Sequence, residues 1–136
     1  MSLSAARTIP DCKGDMRVQR FRMAASTTIY AGELVMINSS GLAVPCAAAA
    51  SNRGIVGVAL ETLTSDSSTA EYMPVGIGIF RLPGTSATQA MVGTLVYGQA
   101  DSSYGATGTN LPIAGLCVEY ESASLGWVAI GPQYLT

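Results

Sequence analysis

The feature that most constrains the fold is a short pattern of glycine and apolar residues that occurs twice along the chain. The stretch GELV at residues 32–35 matches GTLV at residues 93–96. Each is followed by a second matching run, GVALE at 57–61 and GLCVE at 115–119. Internal similarity of this kind indicates that one supersecondary unit is repeated. We therefore predict an all-β chain, a small barrel or sandwich built from two similar β-units packed face to face.

The rest of the chain reads as short strands between turns, which is typical of such folds. The two units close on the strands MPVGIGIF (73–80) and GWVAIGP (126–132). In the first of these, alternate residues are apolar, and the opposite face carries Gly76 and Gly78, which allow another backbone to approach closely. Because Pro74 has no N–H to donate, this strand is predicted to lie at a sheet edge or to enter its sheet only after the proline.

Three local features are also predicted. The turn NSSG ends at Gly41, which can adopt a positive φ. The segment SATQAMV, residues 86–92, is the one plausible short helix. In an early strand, Met16 and Val18 share one face whereas Phe21 falls on the other, and this change of phase predicts a bulge or bend.

Charged residues are few and unevenly distributed. They make up 12% of the chain, about half of the roughly 25% found in typical soluble domains. Residues 1–22 carry five basic and two acidic residues, whereas 23–136 carry two basic and seven acidic ones. Such asymmetry is typical of a docking arm attached to a body. We therefore divide the chain into a basic N-terminal arm, extended and spanning residues 1–24, and a β-barrel or sandwich body, residues 25–136.

The charge pattern also bears on partners. Nucleic acid is disfavoured because the overall net charge is −2 and no basic stripe continues into the body. An acidic protein face suits the arm, and a solvated terminus without a partner is the alternative. Lys, Glu and Asp are depleted in the cores of protein interfaces, so the body is predicted to be a component of an assembly, with a neutral monomer as the alternative.

The sequence offers little chemistry. It contains no histidine, which removes Ser-His-Asp and Cys-His nucleophiles and the commonest metal ligand. Cys12, Cys46 and Cys117 are far apart and odd in number, so free thiols are predicted. Glu119 and Glu121 share one face of a strand and could serve acid–base chemistry, although such a pair is more often a solvent face. We predict a protein that is not an enzyme and that uses no metal or cofactor.

Neither a membrane span nor a secretory signal is predicted. The chain has no continuous apolar run of about 20 residues, and its start, MSLSAARTIPDCKGD, lacks the apolar core of a signal peptide. We expect a soluble protein that is made in a cytoplasm.

Taken in order, the stretches AGELVMINSSGLAVP, GIVGVALET, VGTLVYGQAD, PIAGLCVEYES and GWVAIGP resemble small tailed-bacteriophage proteins that decorate, or cement, the capsid. The resemblance covers about residues 30–133. It implies a compact β-barrel-like body, no enzymatic activity and self-association, as a homotrimer or a dimer, on the outside of an icosahedral shell. The implied partner is the major capsid protein, and the implied location is the virion exterior after synthesis in the bacterial host cytoplasm.

This chain departs from the family in having a longer basic leader before its first repeat. Together with the charge asymmetry, the resemblance suggests that the leader anchors the protein on acidic capsid loops. The expected capsid-binding residues are Arg17, Arg20, Phe21 and Arg22.

Two other functions stay open at this point. A carbohydrate- or receptor-binding module of a phage tail or fibre would need a cluster of exposed aromatic residues. The candidates are Tyr97, Tyr104, Tyr120 and Trp127, of which Trp127 is expected to lie in the core. A hydrolase would use Glu119 or Glu121.

Overall fold

The computed structural model describes residues 9–47, 54–68, 71–99, 102–106 and 111–130. Within these ranges the chain forms eleven strands and one turn of 3₁₀ helix, Gln89–Met91. The strands are β1 (Cys12–Arg22), β2 (Thr28–Ile29), β3 (Leu34–Ile37), β4 (Ala43–Pro45), β5 (Ile55–Ala59), β6 (Leu63–Thr64), β7 (Tyr72–Pro83), β8 (Leu95–Gly98), β9 (Tyr104–Gly105), β10 (Ile113–Ser122) and β11 (Leu125–Ile130). The predicted all-β class is confirmed. The first eight residues of the predicted arm lie outside the described ranges.

Nine strands form one curled, half-barrel sheet in the order β4-β3-β5-β7-β11-β10-β8-β9, with β1 added beside β7. The strands β2 and β6 pair separately as a short ribbon. All of these strand pairs are antiparallel. In the large sheet, β3–β4, β8–β9 and β10–β11 are pairs of consecutive strands, whereas the other neighbours are separated in the chain by at least one further strand.

The long strand β7 lies in the middle of the sheet, so the edge position predicted from Pro74 is wrong. Gly76 pairs with Val18 of β1 on one side and with Val58 of β5 on the other. The later part of β7, residues 78–83, pairs with β11 along the same edge that the earlier part presents to β5. The N–H of Leu60 donates to the carbonyl of Pro74 at 3.2 Å, and pairing with β5 ends there because Pro74 has no N–H to donate in return.

The two similar units predicted from the repeated pattern are confirmed by strand register. In the first unit Val35 of β3 pairs with Gly57 of β5, and in the second Val96 of β8 pairs with Gly115 of β10. The β3–β5 ladder and the β8–β10 ladder both have a register shift directly beside the matched pair. Sequence-matched residues therefore occupy matched positions.

The backbone at the start of each unit is matched as well. Gly32 and Gly93, which begin the two copies of the pattern, have φ angles of 87° and 89°. The N–H of Gly32 donates to the carbonyl of Ala59 at 2.9 Å, and that of Gly93 donates to the carbonyl of Cys117 at 2.8 Å. A positive φ is readily adopted only by glycine, which explains why glycine opens both copies.

The two units share a strand and do not simply pack face to face. A parallel bridge joins Met23 to Ala43 in the first unit, and its counterpart joins Gly84 to Tyr104 in the second. Met23 follows β1 and Gly84 follows β7, so β1 opens the first unit as β7 opens the second. Since β1 pairs with β7 and β7 pairs with β11, β7 closes one unit and begins the next.

Apolar clusters cover both faces of β7. Met73 and Val75 belong to the smaller cluster, and Phe80 and Leu82 belong to the larger one. A neighbouring backbone does lie beside the glycine face, since a Cβ at Gly78 would lie 3.6 Å from the carbonyl oxygen of Asp15, but this is an ordinary van der Waals distance. The approaching backbone belongs to β1, which lies over this part of β7.

One of the predicted local features is confirmed, one is much shorter than predicted and one is displaced. Gly41 has a φ of 80° in the turn between β3 and β4. The short helix predicted over residues 86–92 is only a single 3₁₀ turn, Gln89–Met91. A bulge occurs in β1, but between Lys13 and Arg17, earlier than the change of phase suggested. It contains Gly14 with a φ of 77°, and an additional residue with a positive φ is typical of such bulges.

Candidate interaction surface

The four expected binding residues all lie on β1, but they face two ways. Arg17 and Phe21 lie on one face of β1, where they pair with Ile77 and Met73 of β7. Met73 belongs to the smaller apolar cluster. Arg20 and Arg22 lie on the opposite face of β1. Phe21 is half-buried and packs against that cluster. The guanidinium of Arg22 donates to the hydroxyl of Tyr72 at 2.6 Å and lies 4.9 Å from its ring centroid. Phe21 and Arg22 therefore attach β1 to the body.

Arg17 and Arg20 are exposed. Within the described residues, neither guanidinium forms an ion pair. The surrounding strand is also open, since Val18 is 55% exposed between them. These two arginines are the positive charges on β1 that remain available to a partner. The division of the chain at residue 24 stays a prediction, although the described part of the arm is a paired strand of the sheet.

The beginning of β1 is attached to the body by a second group of contacts, which we call the ion-pair ladder. Lys13 forms an ion pair with Glu119 of β10, and its Nζ lies 4.5 Å from the ring centroid of Trp127 on β11. Arg81 of β7 donates to both carboxylate oxygens of Glu121, from Nε at 3.0 Å and from Nη2 at 2.7 Å. The indole N–H of Trp127 also donates to Glu121, at 3.0 Å. The ladder thus joins four adjacent strands on one face.

The ladder accounts for the carboxylate pair without catalysis. Each of Glu119 and Glu121 has a basic partner. The hydrogen bonds from Arg81 lower the pKa of Glu121, with a smaller contribution from the indole of Trp127. A general acid in a hydrolase needs the opposite shift. The geometry therefore gives no support to the hydrolase alternative.

The four candidate aromatic residues, all within the described ranges, do not form the platform that a carbohydrate-binding module would need. Tyr104 is fully buried, and Tyr97 and Tyr120 are partly buried. Trp127 is not in either core cluster, contrary to expectation, but is partly exposed with Lys13 over its ring. Sugars are bound by stacking on an open aromatic face, and a lysine occupies this one.

The lowered pKa of Glu121 leads to a pH-dependent prediction. Its carboxylate stabilises the folded state above the ordinary glutamate pKa of about 4.3, and this stabilisation is lost as the pH falls through the lowered pKa of the folded state. Glu121→Gln should therefore lower the melting temperature at pH 7, and the difference from the unchanged protein should shrink toward pH 3. Glu61→Gln, at an exposed position, controls for the loss of one negative charge. An undiminished difference at pH 3 would contradict the ion-pair explanation.

The cysteines and the acidic residues suggest no other site. Cys12, Cys46 and Cys117 are free thiols, as predicted. Among the described residues, no group of three or more cysteine or acidic side chains is placed to hold a metal ion. The described ranges also contain no helix with the length and apolar character needed to cross a bilayer.

A family model described as phage cement protein matches residues 13–130. The matched span runs from β1 to the end of β11 and includes both units and all members of the ion-pair ladder. No curated protein matches the chain.

Proposed function

The chain belongs to the phage cement protein family, and we propose that it binds the outer surface of the assembled head and stabilises it across capsomer boundaries. The observation that carries this proposal is the extent of the family match, which covers nearly the whole described fold. A protein that binds the assembled shell, but not its separated parts, shifts the equilibrium toward assembly. Many copies on one shell add their individually weak contacts.

The anchor on the capsid is β1. Arg17 and Arg20 make the contacts with acidic loops of the major capsid protein, since both are exposed on a strand that is otherwise attached to the body. Phe21 and Arg22 hold the strand in place through the smaller apolar cluster and Tyr72. Charged pairs of this kind fix orientation and register more than they add affinity.

The body associates with other copies of the chain, as a trimer or a dimer. Support comes from its low charge content and from exposed apolar side chains outside β1, such as Tyr72 and Leu95, which are 44% and 38% exposed. Sedimentation equilibrium of the full chain measures the number of copies. A monomer at every accessible concentration would remove this part of the proposal.

Cosedimentation with expanded and unexpanded shells of the cognate phage tests the function. We expect saturable binding of the unchanged chain to expanded shells. The double variant Arg17→Ser and Arg20→Ser should bind about two- to thirtyfold more weakly, because two exposed ion pairs contribute roughly 0.2–1 kcal/mol each. Point variants are preferable to removal of residues 1–22, because that deletion would uncover the β7 residues over which β1 packs.

The matched control is Gln89→Glu with Ala90→Glu, which changes the net charge by the same amount at exposed positions in the 3₁₀ turn. It should bind like the unchanged chain. Equal binding by the arginine variant and the unchanged chain would show that β1 is not the anchor. Absence of binding to either kind of shell would refute the proposed function.

A further inference from the structure

The edge of β1 that faces away from β7, here called the outer edge, has a defined pattern of main-chain groups. Met23 N–H donates to the Glu71 carbonyl of the body at 2.8 Å. Alternate residues of an antiparallel strand direct their main-chain groups to opposite edges, so Gln19 and Phe21 face β7 while Val18 and Arg20 face outward. Consistent with this orientation, the side-chain amide of Gln19 reaches the Arg20 carbonyl at 3.2 Å. Just beyond the end of β1, Ala43 of β4 bridges to Met23 on this side; along β1 itself, no strand of the described residues pairs with the outer edge.

In the second unit, the edge of β7 that corresponds to the outer edge of β1 is paired with another strand. Gly84 matches Met23, because each forms the parallel bridge of its unit. Arg81 and Arg20 each precede these residues by the same number of positions, so Arg81 is the counterpart of Arg20. The corresponding edge of β7 is occupied by the beginning of β1, where the N–H of Arg81 donates to the carbonyl of Asp11 at 3.0 Å. One fold unit therefore carries an antiparallel strand at this position, whereas no strand from the described part of the chain fills the same position in its copy.

Two kinds of strand could fill the outer edge of β1: the same edge of a second copy, or a segment of a different protein. The charges on β1 decide between them. The strand Cys12–Arg22 contains four basic residues and one acidic residue. Pairing the outer edges of two copies would set these charges against each other, and like charges across a ladder are destabilising. In the second unit the guanidinium of Arg81 is held by both carboxylate oxygens of Glu121. Glu121 belongs to β10 and not to the strand that fills the edge, so the comparison concerns charge alone: an acidic segment is the partner that supplies a carboxylate to Arg20.

We propose that the outer edge of β1 receives an extended, acidic segment of the shell protein as an antiparallel strand. The main-chain groups of Val18 and Arg20 form the ladder with it. Arg17 and Arg20 lie on opposite faces of β1, so carboxylates on both faces of the added strand find a guanidinium. Strand addition of this kind derives affinity from the main chain and selectivity from the side chains. This inference rests on the proposed function, which supplies the shell as partner.

The first test removes one outward N–H. Val18→Pro deletes a donor that makes no ladder bond in the free chain, and proline is tolerated where the N–H of an edge strand faces solvent. Val18→Thr is the matched control, since it keeps both the N–H and the β-branched shape. In cosedimentation with expanded shells, Val18→Pro should bind about tenfold more weakly, whereas Val18→Thr should bind like the unchanged chain. Equal binding by both variants would overturn the inference.

The second test uses the unchanged chain and does not depend on how well a variant folds. Hydrogen exchange is measured at the amides of Val18 and Arg20 without shells and on expanded shells. Both amides should exchange rapidly in the free chain and become at least about tenfold slower on the shell, as a ladder bond requires opening before exchange. The amides of Gln19 and Phe21, which face β7, serve as internal references.

The outcomes separate the inference from the function on which it rests. Absence of cosedimentation would refute the decoration function itself. Cosedimentation without slower exchange at Val18 and Arg20 would leave that function standing and refute strand addition. Slower exchange at both amides in concentrated free protein, without shells, would refute the acidic occupant and assign the outer edge to a second copy of the chain.

Discussion

Replacing Gly115 with alanine should lower the free energy of unfolding by about 3–5 kcal/mol, combining a steric clash with an unfavourable backbone conformation. Gly115 pairs with Val96 in the second unit and has a φ of 156°. A Cβ there would lie 1.9 Å from the carbonyl oxygen of Ala129 and 3.4 Å from the Cα of Ile130. Both atoms belong to the backbone of β11, so the methyl group could be accommodated only by separating β10 from β11.

Gly93→Ala is the matched control for this substitution. Gly93 also has a positive φ, 89°, but a Cβ there would meet nothing within 4 Å. Its replacement should cost only about 1–2 kcal/mol, the conformational part of the effect. Urea unfolding of the two variants measures the difference. Equal losses would show that contact with β11 is not what requires glycine at position 115.

The repeat could be found from the sequence because it is encoded by residues with few substitutes. Gly32 and Gly93 need a positive φ, and Gly57 and Gly115 leave no room for a side chain beside the next strand. These requirements are local, or concern an adjacent strand, and they recur at the same place in each unit. A pattern of glycine and apolar residues was therefore sufficient to predict two similar units, though not that they share β7.

The interaction surface could be predicted only in part. The basic residues of β1 are visible as a charge asymmetry, but which of them remain available depends on contacts with Tyr72 and the ion-pair ladder. The bond between Lys13 and Glu119 joins residues 106 positions apart, and it forms because β1, β7, β11 and β10 are neighbours. Strand order of this kind is not contained in the alternation of any single strand.

The same limit explains the two aromatic residues that were misplaced. Trp127 was expected in the core because it lies in an apolar strand, but its neighbours across the ladder are Arg81 and Glu119. Tyr104 is one of the aromatic residues expected at the surface of a carbohydrate-binding module, but its ring is fully buried. The burial of each residue is determined by its neighbours across the sheet and not by its neighbours in sequence.

The position of Tyr104 reflects an exchange of volume between the two units. At the bridge in the first unit a large Met23 lies opposite a small Ala43, and at the matched bridge Gly84 lies opposite Tyr104. The ring packs on glycine, since a Cβ at Gly84 would lie 3.0 Å from its Cε1. Total volume at a buried contact can thus be kept while the two partners exchange size, so the two copies keep a common fold with different residues at this bridge.

A second glycine completes the site of Tyr104 and should make it sensitive to added volume. A Cβ at Gly126 would lie 1.9 Å from the Tyr104 hydroxyl oxygen and 2.8 Å from its Cζ. Gly126→Ala should therefore cost about 2–4 kcal/mol through overpacking. Tyr104→Phe should cost less than about 1 kcal/mol, because the buried hydroxyl forms no hydrogen bond of regular geometry, although it lies beside Cys117.

The double variant decides whether the hydroxyl causes this sensitivity. If it does, Tyr104→Phe relieves the closest contact in Gly126→Ala, and the double variant should be more stable than the sum of the single losses by about 1 kcal/mol or more. Relief should be incomplete, since the Cζ contact remains. Urea unfolding at pH 7 is the measurement; burial raises the pKa of Tyr104 to about 12, so the phenol is neutral throughout. Additive losses would locate the clash instead in the backbone of β10, where the carbonyl oxygen of Glu119 lies 3.1 Å from the same Cβ position.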